Sequence, residues 1–368
     1  MLANDRSMAG AGQTSFIISH DSSAPRIMKK DAHILLCCDV DPDKTSFGAT
    51  GETQRNEVRW EGLTKGVPAF IDTVSSFEDE QGDKIRFNWF FRSDLQLERL
   101  HGDPAWPHRA RREVVERILK RNDELGWHPH FWRLHEDGVS WYQETDDLDY
   151  LGSCLKRGFN AIPPELRPLV ARTGCDFHNA FTMRCLAELG LVADLSALPG
   201  IEDAGTIDPR TQRRVVVRNW AGAPDRPYFP SKEDHRVEAH EESDRLGIIE
   251  IPVSTYALPS TMKMAKGLRD KLRGSEGKPR YSEPYLTGRN MLFKAALNHH
   301  LKRRDPSDIP MVVEFHADDL LQASGAHSTK NAIENISTSL NAFRKAGLRP
   351  SFSLASEVAK ELRARMEE

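Results

Sequence analysis

Cysteine is scarce in this chain, five residues in 368, and none of Cys37, Cys38, Cys154, Cys175 and Cys185 forms a C-x-x-C pair. An odd, unpatterned set of thiols excludes a disulfide framework and a cysteine-built zinc site, and it suits a reducing compartment. Long apolar runs are also missing, so no transmembrane helix is expected. Met1 to Gly12 is small and polar, without the apolar core of a secretory leader, which makes a cytoplasmic location the expectation. Neither sign of charge dominates: 51 basic side chains stand against 55 acidic ones, for a net charge of −4. That balance leaves no electrostatic footprint for DNA or RNA. No repeat of fixed period is present. What is there is ordinary for a globular protein, 39% hydrophobic and 29% charged residues, in a length that fits two domains or one barrel-sized α/β domain with insertions.

Residues 1–30 are rich in Ser, Ala, Gly and Asp without sustained period and read as a loose tail ahead of a single folded unit over 31–368. The run from His33 to Cys38 is a short apolar strand of the kind buried on both faces, and it leads into the acidic turn Asp39-Val40-Asp41-Pro42-Asp43. Pro68 opens a helix carrying Phe70, Ile71, Val74 and Phe77. Ile85, Phe87, Trp89 and Phe91 alternate as a strand, and a helix from about Pro107 to near Gly126 carries Val114, Val115, Ile118 and Leu119. The alternation continues with a helix closed by Gly190, strands at Leu191–Asp194, Ile248–Val253 and Met311–Phe315, a helix stopped by Gly347, and a last strand at Ser351–Leu354. Strands alternating with helices imply parallel βαβ units, with a barrel as the closure. The stretch 197–245, poor in apolar period and rich in Pro, Asp and Arg, reads as a long insertion over one mouth of that barrel. The basic stretch from Lys263 to Arg280, with Arg303 and Arg304, reads as a solvated helix face; lining the mouth instead, it would favour an anionic substrate.

Four places carry chemistry. Asp39 and Asp41, two apart at a strand end, can turn both carboxylates to one space, where a cation or a proton relieves their repulsion; as plain turn residues they would cap the next element. His128 and His130 form an H-x-H pair that in extended chain puts both imidazoles on one face, a common way to hold zinc. His316 closes an apolar strand and can serve as a general acid near neutral pH, while Arg172 can orient a carboxylate base or simply form an ion pair.

In this order the segments resemble the polysaccharide deacetylase family, the nodulation-type carbohydrate esterases with a distorted (β/α)7 barrel. The resemblance runs from about Ile34 to Leu362 and is carried by Cys37-Cys38-Asp39-Val40-Asp41, Phe87-Asn88-Trp89-Phe90-Phe91, Glu124 through His130, Arg172-Thr173-Gly174 with Asp194-Leu195-Ser196, and Glu250 through Val253 with Phe315-His316. It implies Asp39 as general base, Asp41 and His128 as metal ligands, His316 as general acid and Arg172 as the partner orienting Asp39. The family's second metal histidine lies four residues after the first, where this chain has Trp132; His130, ahead of His135, is the substitute. Asn219-Trp220 resembles the Asp-Trp pair across the groove, with asparagine in place of the carboxylate that tunes the acid. With Trp132 and Tyr228, these residues are the candidates for the substrate wall. The implied cofactor is one divalent metal, zinc first, with nickel, cobalt or iron fitting nearly as well. The implied reaction removes an acyl group, acetyl foremost, from an N-acylated sugar or small sugar-containing metabolite, with no nucleic-acid or membrane partner. Two other readings stand beside it: a carbohydrate-binding protein on a decayed barrel, suggested by Trp132 and Asn219, and a hydrolase of cyclic amides on the same barrel.

Overall fold

The computed structural model describes residues 30–43, 58–79, 82–203, 205–207, 212–258, 281–303 and 305–367. The tail predicted over 1–30, the basic stretch 263–280 and Arg304 lie outside them, apart from Lys30. One parallel sheet of eight strands organises the described residues. We number its members β1 (Asp31–Val40), β2 (Asn88–Arg92), β3 (Glu124–His128), β4 (Val170–Ala171), β5 (Ala193–Asp194), β6 (Ile249–Glu250), β7 (Met311–His316) and β8 (Arg349–Phe352). Their spatial order is β6-β5-β4-β3-β2-β1-β7, with β8 beside the start of β1 on the edge that β2 takes further along. The sheet curls until its ends approach, where the Ser254 amide past β6 donates to the Val312 carbonyl of β7 at 3.2 Å. This is the barrel that the strand–helix alternation predicts, in the distorted (β/α)7 form that the resemblance implies.

The apolar run fixes β1 at the centre. From Ile34 to Val40 every residue is buried, because strands flank it on both edges and side chains cover both faces. On one face Phe70, Phe87, Trp89 and Phe315 meet in edge and tilted contacts, ring centroids 5.4–6.2 Å apart.

Three sequence expectations shift. The first helix spans Val67–Val74 and stops short of Phe77. Ile85 and Phe87 lead into β2 rather than belonging to it, and Asn88 to Arg92 are all buried, so alternation there marks no solvent face. The helix expected to run to Gly126 breaks into Trp106–Ala110 and Arg112–Lys120, and Asn122 turns the chain at φ 62°. Gly126 therefore does not end a helix. It sits inside β3 opposite Phe90, where a Cβ would lie 2.4 Å from the phenyl ring.

Between β5 and β6 the chain from 197 to 245 forms two short antiparallel pairs, Glu202–Asp203 with Arg218–Asn219 and Thr206–Ile207 with Arg214–Val215. Gln143 ties it down through its side chain, donating to the Val217 carbonyl at 3.0 Å and accepting from the Val217 amide at 2.8 Å. Among the described residues no helix is long and apolar enough to cross a membrane.

Candidate metal centre and active site

Parallel register brings the polar strand ends to one level. Asp39 of β1 pairs with His316 of β7, and Arg92 of β2 pairs with His128 of β3. Arg172 follows β4 directly, and Asp41 follows β1. All of these lie at the carboxyl ends of their strands, where backbone groups are no longer consumed by the sheet and side chains converge on one space.

Asp41, His128 and His130 form a group able to hold a metal ion, their ligand atoms all within 4.8 Å of one another. Asp41 Oδ2 lies 3.4 Å from His128 Nε2 and Asp41 Oδ1 3.3 Å from His130 Nε2, while the two imidazole Nε2 atoms are 3.1 Å apart. His135, the other candidate, stands away on the Trp132–Leu134/Trp141–Gln143 hairpin, its Nδ1 3.7 Å from Asp137. Burial alone would push the Asp41 carboxyl up, but His130 and His128 beside it hold it well below the usual carboxylate range. Burial opposes charge on His128 as well, yet Asp39 and Asp41 outweigh it and raise the imidazole to about 9. For His130 burial wins, with Arg92 adding to it, and the imidazole titrates below its ordinary value.

The two imidazoles are held differently. His128 Nδ1–H donates to the Arg172 carbonyl at 2.6 Å, which leaves Nε2 with its lone pair toward Asp41 once the ring is neutral. His130 Nδ1 accepts from the Trp132 indole N–H at 2.8 Å. An indole can only donate, so the neutral His130 ring carries its proton on Nε2 and donates toward Asp41 in this structure. Close packing shapes the same spot: a Cβ at Gly174 would lie 2.2 Å from the His130 ring.

Asp39 belongs to the neighbouring layer. Arg172 Nε donates to both Asp39 oxygens at 3.1 Å, and the same guanidinium reaches the Leu195 carbonyl at 2.8 Å, Asp176 at 2.9 Å and Glu314. Burial disfavours the Arg172 charge, but Asp39, Glu314 and Asp176 around it keep the guanidinium protonated. Arg218 shares Asp176 at 2.7 Å, and burial pushes the Glu314 carboxyl up to about 8 against the pull of Arg172. His316 Nε2 stands 4.0 Å from Asp39 Oδ2, and its Nδ1 is hydrogen-bonded to the Tyr285 hydroxyl.

The structure thus brings together Asp39, Asp41, His128, His130, Arg172 and His316. Trp132 stands behind His130 with its ring nearly parallel, 6.1 Å between centroids. Trp220 and Tyr228 are fully buried; the Trp220 indole donates to the Asp176 carbonyl and the Tyr228 hydroxyl to the His235 carbonyl. Asn219 is exposed, and its Oδ1 accepts from the Ala221 amide at 3.1 Å. Arg303 pairs with Asp225 at 3.3 Å.

Four groups at the centre escaped the sequence reading. Arg92 Nη1 reaches Asp41 at 3.4 Å and its Nε reaches Asp94 at 2.6 Å; Asp94 in turn accepts from the His130 amide at 3.3 Å and caps the helix Leu95–His101. The signal was an arginine and an aspartate two apart at a strand end. Asp176 and Tyr285 offered none, since only folding brings them to Arg172 and His316.

No family model matches the sequence, and the search of curated proteins gave no match. Solved structures do match. A protein of Parabacteroides distasonis named as a glycoside hydrolase/deacetylase aligns over 92% of this chain and 73% of its own at 13% identity, with a TM-score of 0.53. A protein of Mycobacterium smegmatis named as a polysaccharide deacetylase aligns over 92% of both chains at 15% identity and a TM-score of 0.47. Puue allantoinase aligns over 96% of this chain and 98% of its own at 13% identity and a TM-score of 0.48. The likeness to the Parabacteroides distasonis protein is one of fold: the curled parallel sheet with its helices is the barrel of that structure.

Proposed function

We propose that the chain is a metal-dependent hydrolase that removes an acyl group, acetyl foremost, from an N-acylated sugar or small sugar-containing metabolite. The observation that carries the reading is the adjacency of two layers: the Asp41–His128–His130 group and, 3.8 Å from the His128 ring, the Arg172-held carboxylate Asp39. The name of the Parabacteroides distasonis structure that shares the barrel points the same way.

The donor set suits a divalent ion of borderline character, zinc first. Asp41 fits as it stands, His128 fits once its ring gives up the proton on Nε2, and His130 fits once its ring gives up the Trp132 bond and moves its proton off Nε2. A divalent ion held there polarises a carbonyl and lowers the pKa of water. The chain's own residues supply the rest. Arg172 fixes the Asp39 carboxylate toward the centre, and Asp39 takes the proton of the attacking water as its oxygen bonds to the acyl carbon. As the C–N bond breaks, His316 delivers a proton to the leaving amine nitrogen. The residues 197–245, reaching Asp176 through Arg218 at 2.7 Å, shape the substrate side.

The test is metal content by mass spectrometry on tag-free protein, comparing wild type with His128→Ala, then turnover on a panel of N-acetylated sugars and cyclic amides. About one equivalent of transition metal, lost in the variant, with acetate released from the linear amides, supports the proposal. No metal in either protein after addition of zinc overturns it, and turnover of cyclic amides alone moves the activity to ring opening.

A further inference from the structure

An acid that hands its proton to a leaving group needs its ring held so that one nitrogen faces the reacting atoms. In this chain the partner expected for that task, at Asn219, is exposed and bonded to its own turn. The nitrogen of His316 that faces away from Asp39 meets a phenol instead. The geometry points to Tyr285 as the residue that positions His316: its hydroxyl holds Nδ1, so that Nε2 is the nitrogen presented to the Asp39 side of the centre. This inference rests on the proposed role of His316 as acid.

The placement of Tyr285 is built, not incidental. Its segment forms a parallel bridge with Glu314, two residues before His316, and the bonds Glu314 amide to Pro284 carbonyl (3.1 Å) and Leu286 amide to Glu314 carbonyl (2.8 Å) extend the sheet by one short strand. Asn335, buried on the helix Thr329–Lys345, clamps that strand from outside, its amide donating to the Leu286 carbonyl at 2.7 Å and the Gly288 carbonyl at 2.9 Å. Thr287 and the His316 amide both donate to the same oxygen of Asp319, at 2.9 and 3.2 Å, which ties the Tyr285 strand to the backbone that carries the imidazole. The two rings lie nearly parallel, 20° between planes with centroids 5.7 Å apart, and His327 packs edge-on against the phenol at 4.8 Å.

A phenol differs from a carboxylate in this position. Its hydroxyl both donates and accepts, so it can donate to the bare Nδ1 of a neutral imidazole and accept from the Nδ1–H of an imidazolium. A carboxylate accepts only, and it favours the charged ring. Tyr285 therefore keeps the ring in one orientation through both halves of a proton transfer without pinning it in the charged state. Burial, with Asp319, Glu314 and Asp39 nearby, keeps the phenol itself protonated.

The test uses the full-length, metal-supplemented protein and Tyr285→Phe, which removes the hydroxyl and keeps the ring that packs on His316 and His327. Two readouts are taken: long-range 15N NMR of the histidine side chains, with the His316 signal assigned from His316→Gln, and steady-state kinetics on an N-acetylated amino sugar. The expected result is a changed His316 Nδ1 shift, with kcat down about 10- to 100-fold while KM and metal content stay within twofold. Unchanged His316 15N shifts overturn the inference whatever the kinetics. If the shifts change but wild type turns over no amide, the positioning role stands and the proposed function falls.

Discussion

Gly174 is where the shape of the chain and the proposed metal centre meet most directly. The Cβ of Gly174→Ala would fall 2.2–2.3 Å from three atoms of the His130 imidazole, against 3.4 Å for ordinary contact. Something must give by more than an ångström. The backbone is poorly placed to do so, because the Gly174 amide donates to the Pro129 carbonyl at 2.8 Å and the His130 amide to Asp94 at 3.3 Å. The imidazole is the far end of a rotatable side chain, so it swings away and loses its bond to Trp132. Metal–nitrogen distances tolerate only about 0.2 Å, so a displaced ring stops being a ligand while the fold persists. The expected outcome is a urea midpoint corresponding to at most the ~1–3 kcal/mol of an overpacked site. Zinc affinity, by chelator competition, should fall at least the ~10- to 100-fold seen when a supporting contact is lost. His130→Ala is the comparison. If His130→Ala loses affinity and Gly174→Ala does not, the steric argument is refuted; if neither loses affinity, His130 is not a ligand.

Trp132→Phe frees His130 Nδ1 to carry the proton and leaves Nε2 available, so zinc affinity should rise by about five- to tenfold, the worth of one hydrogen bond; a fall in affinity would count against the tautomer assigned here. Asp39→Asn and His316→Ala should each lower turnover by about 10²–10⁴ with metal content retained, since neither residue is a proposed ligand; full turnover in either removes that role. Acid should destabilise the chain through three buried neutral histidines: His108, pushed to about 4 by burial and Arg109, and His235 and His300, pushed to about 3 by burial, with His178 beside the first and Arg303 beside the second. Their folded values lie below the ordinary 6.5, so the unfolded chain takes up protons first, and stability present above pH 6.5 is lost as pH falls toward 4 and 3. At pH 5.5 each costs about 1.4 kcal/mol, readable as a lower urea midpoint than at pH 7; identical midpoints would mean that these rings are not buried neutral. Gly126→Ala should destabilise by about 1–3 kcal/mol, because its Cβ would lie 2.4 Å from the fully buried Phe90 ring, and Phe90→Leu should recover part of the loss.

The sequence by itself determined the strand–helix alternation and therefore the parallel sheet, because apolar runs buried on both faces and capped by glycine or proline leave few other folds. It also placed Asp39, Asp41 and His316 at the ends of apolar runs, and such strand ends share one rim of a parallel sheet, while His128 and His130 stood out as an extended H-x-H pair and Arg172 as a partner for a carboxylate. The tertiary structure decided everything that depends on contacts between distant segments. Gly126 reads locally as a helix stop but lies in a strand that pairs with β2, and there Phe90 fills the space a Cβ would need. Asn219 and Trp220 read as a groove wall, yet one faces solvent and the other is buried under Asp176. Tyr285, 31 residues before His316, meets it because its segment bridges to Glu314 of β7 and is clamped from outside by Asn335. Local pattern records which face of an element is apolar, whereas the partner of a single polar atom is chosen by register and packing across the whole sheet.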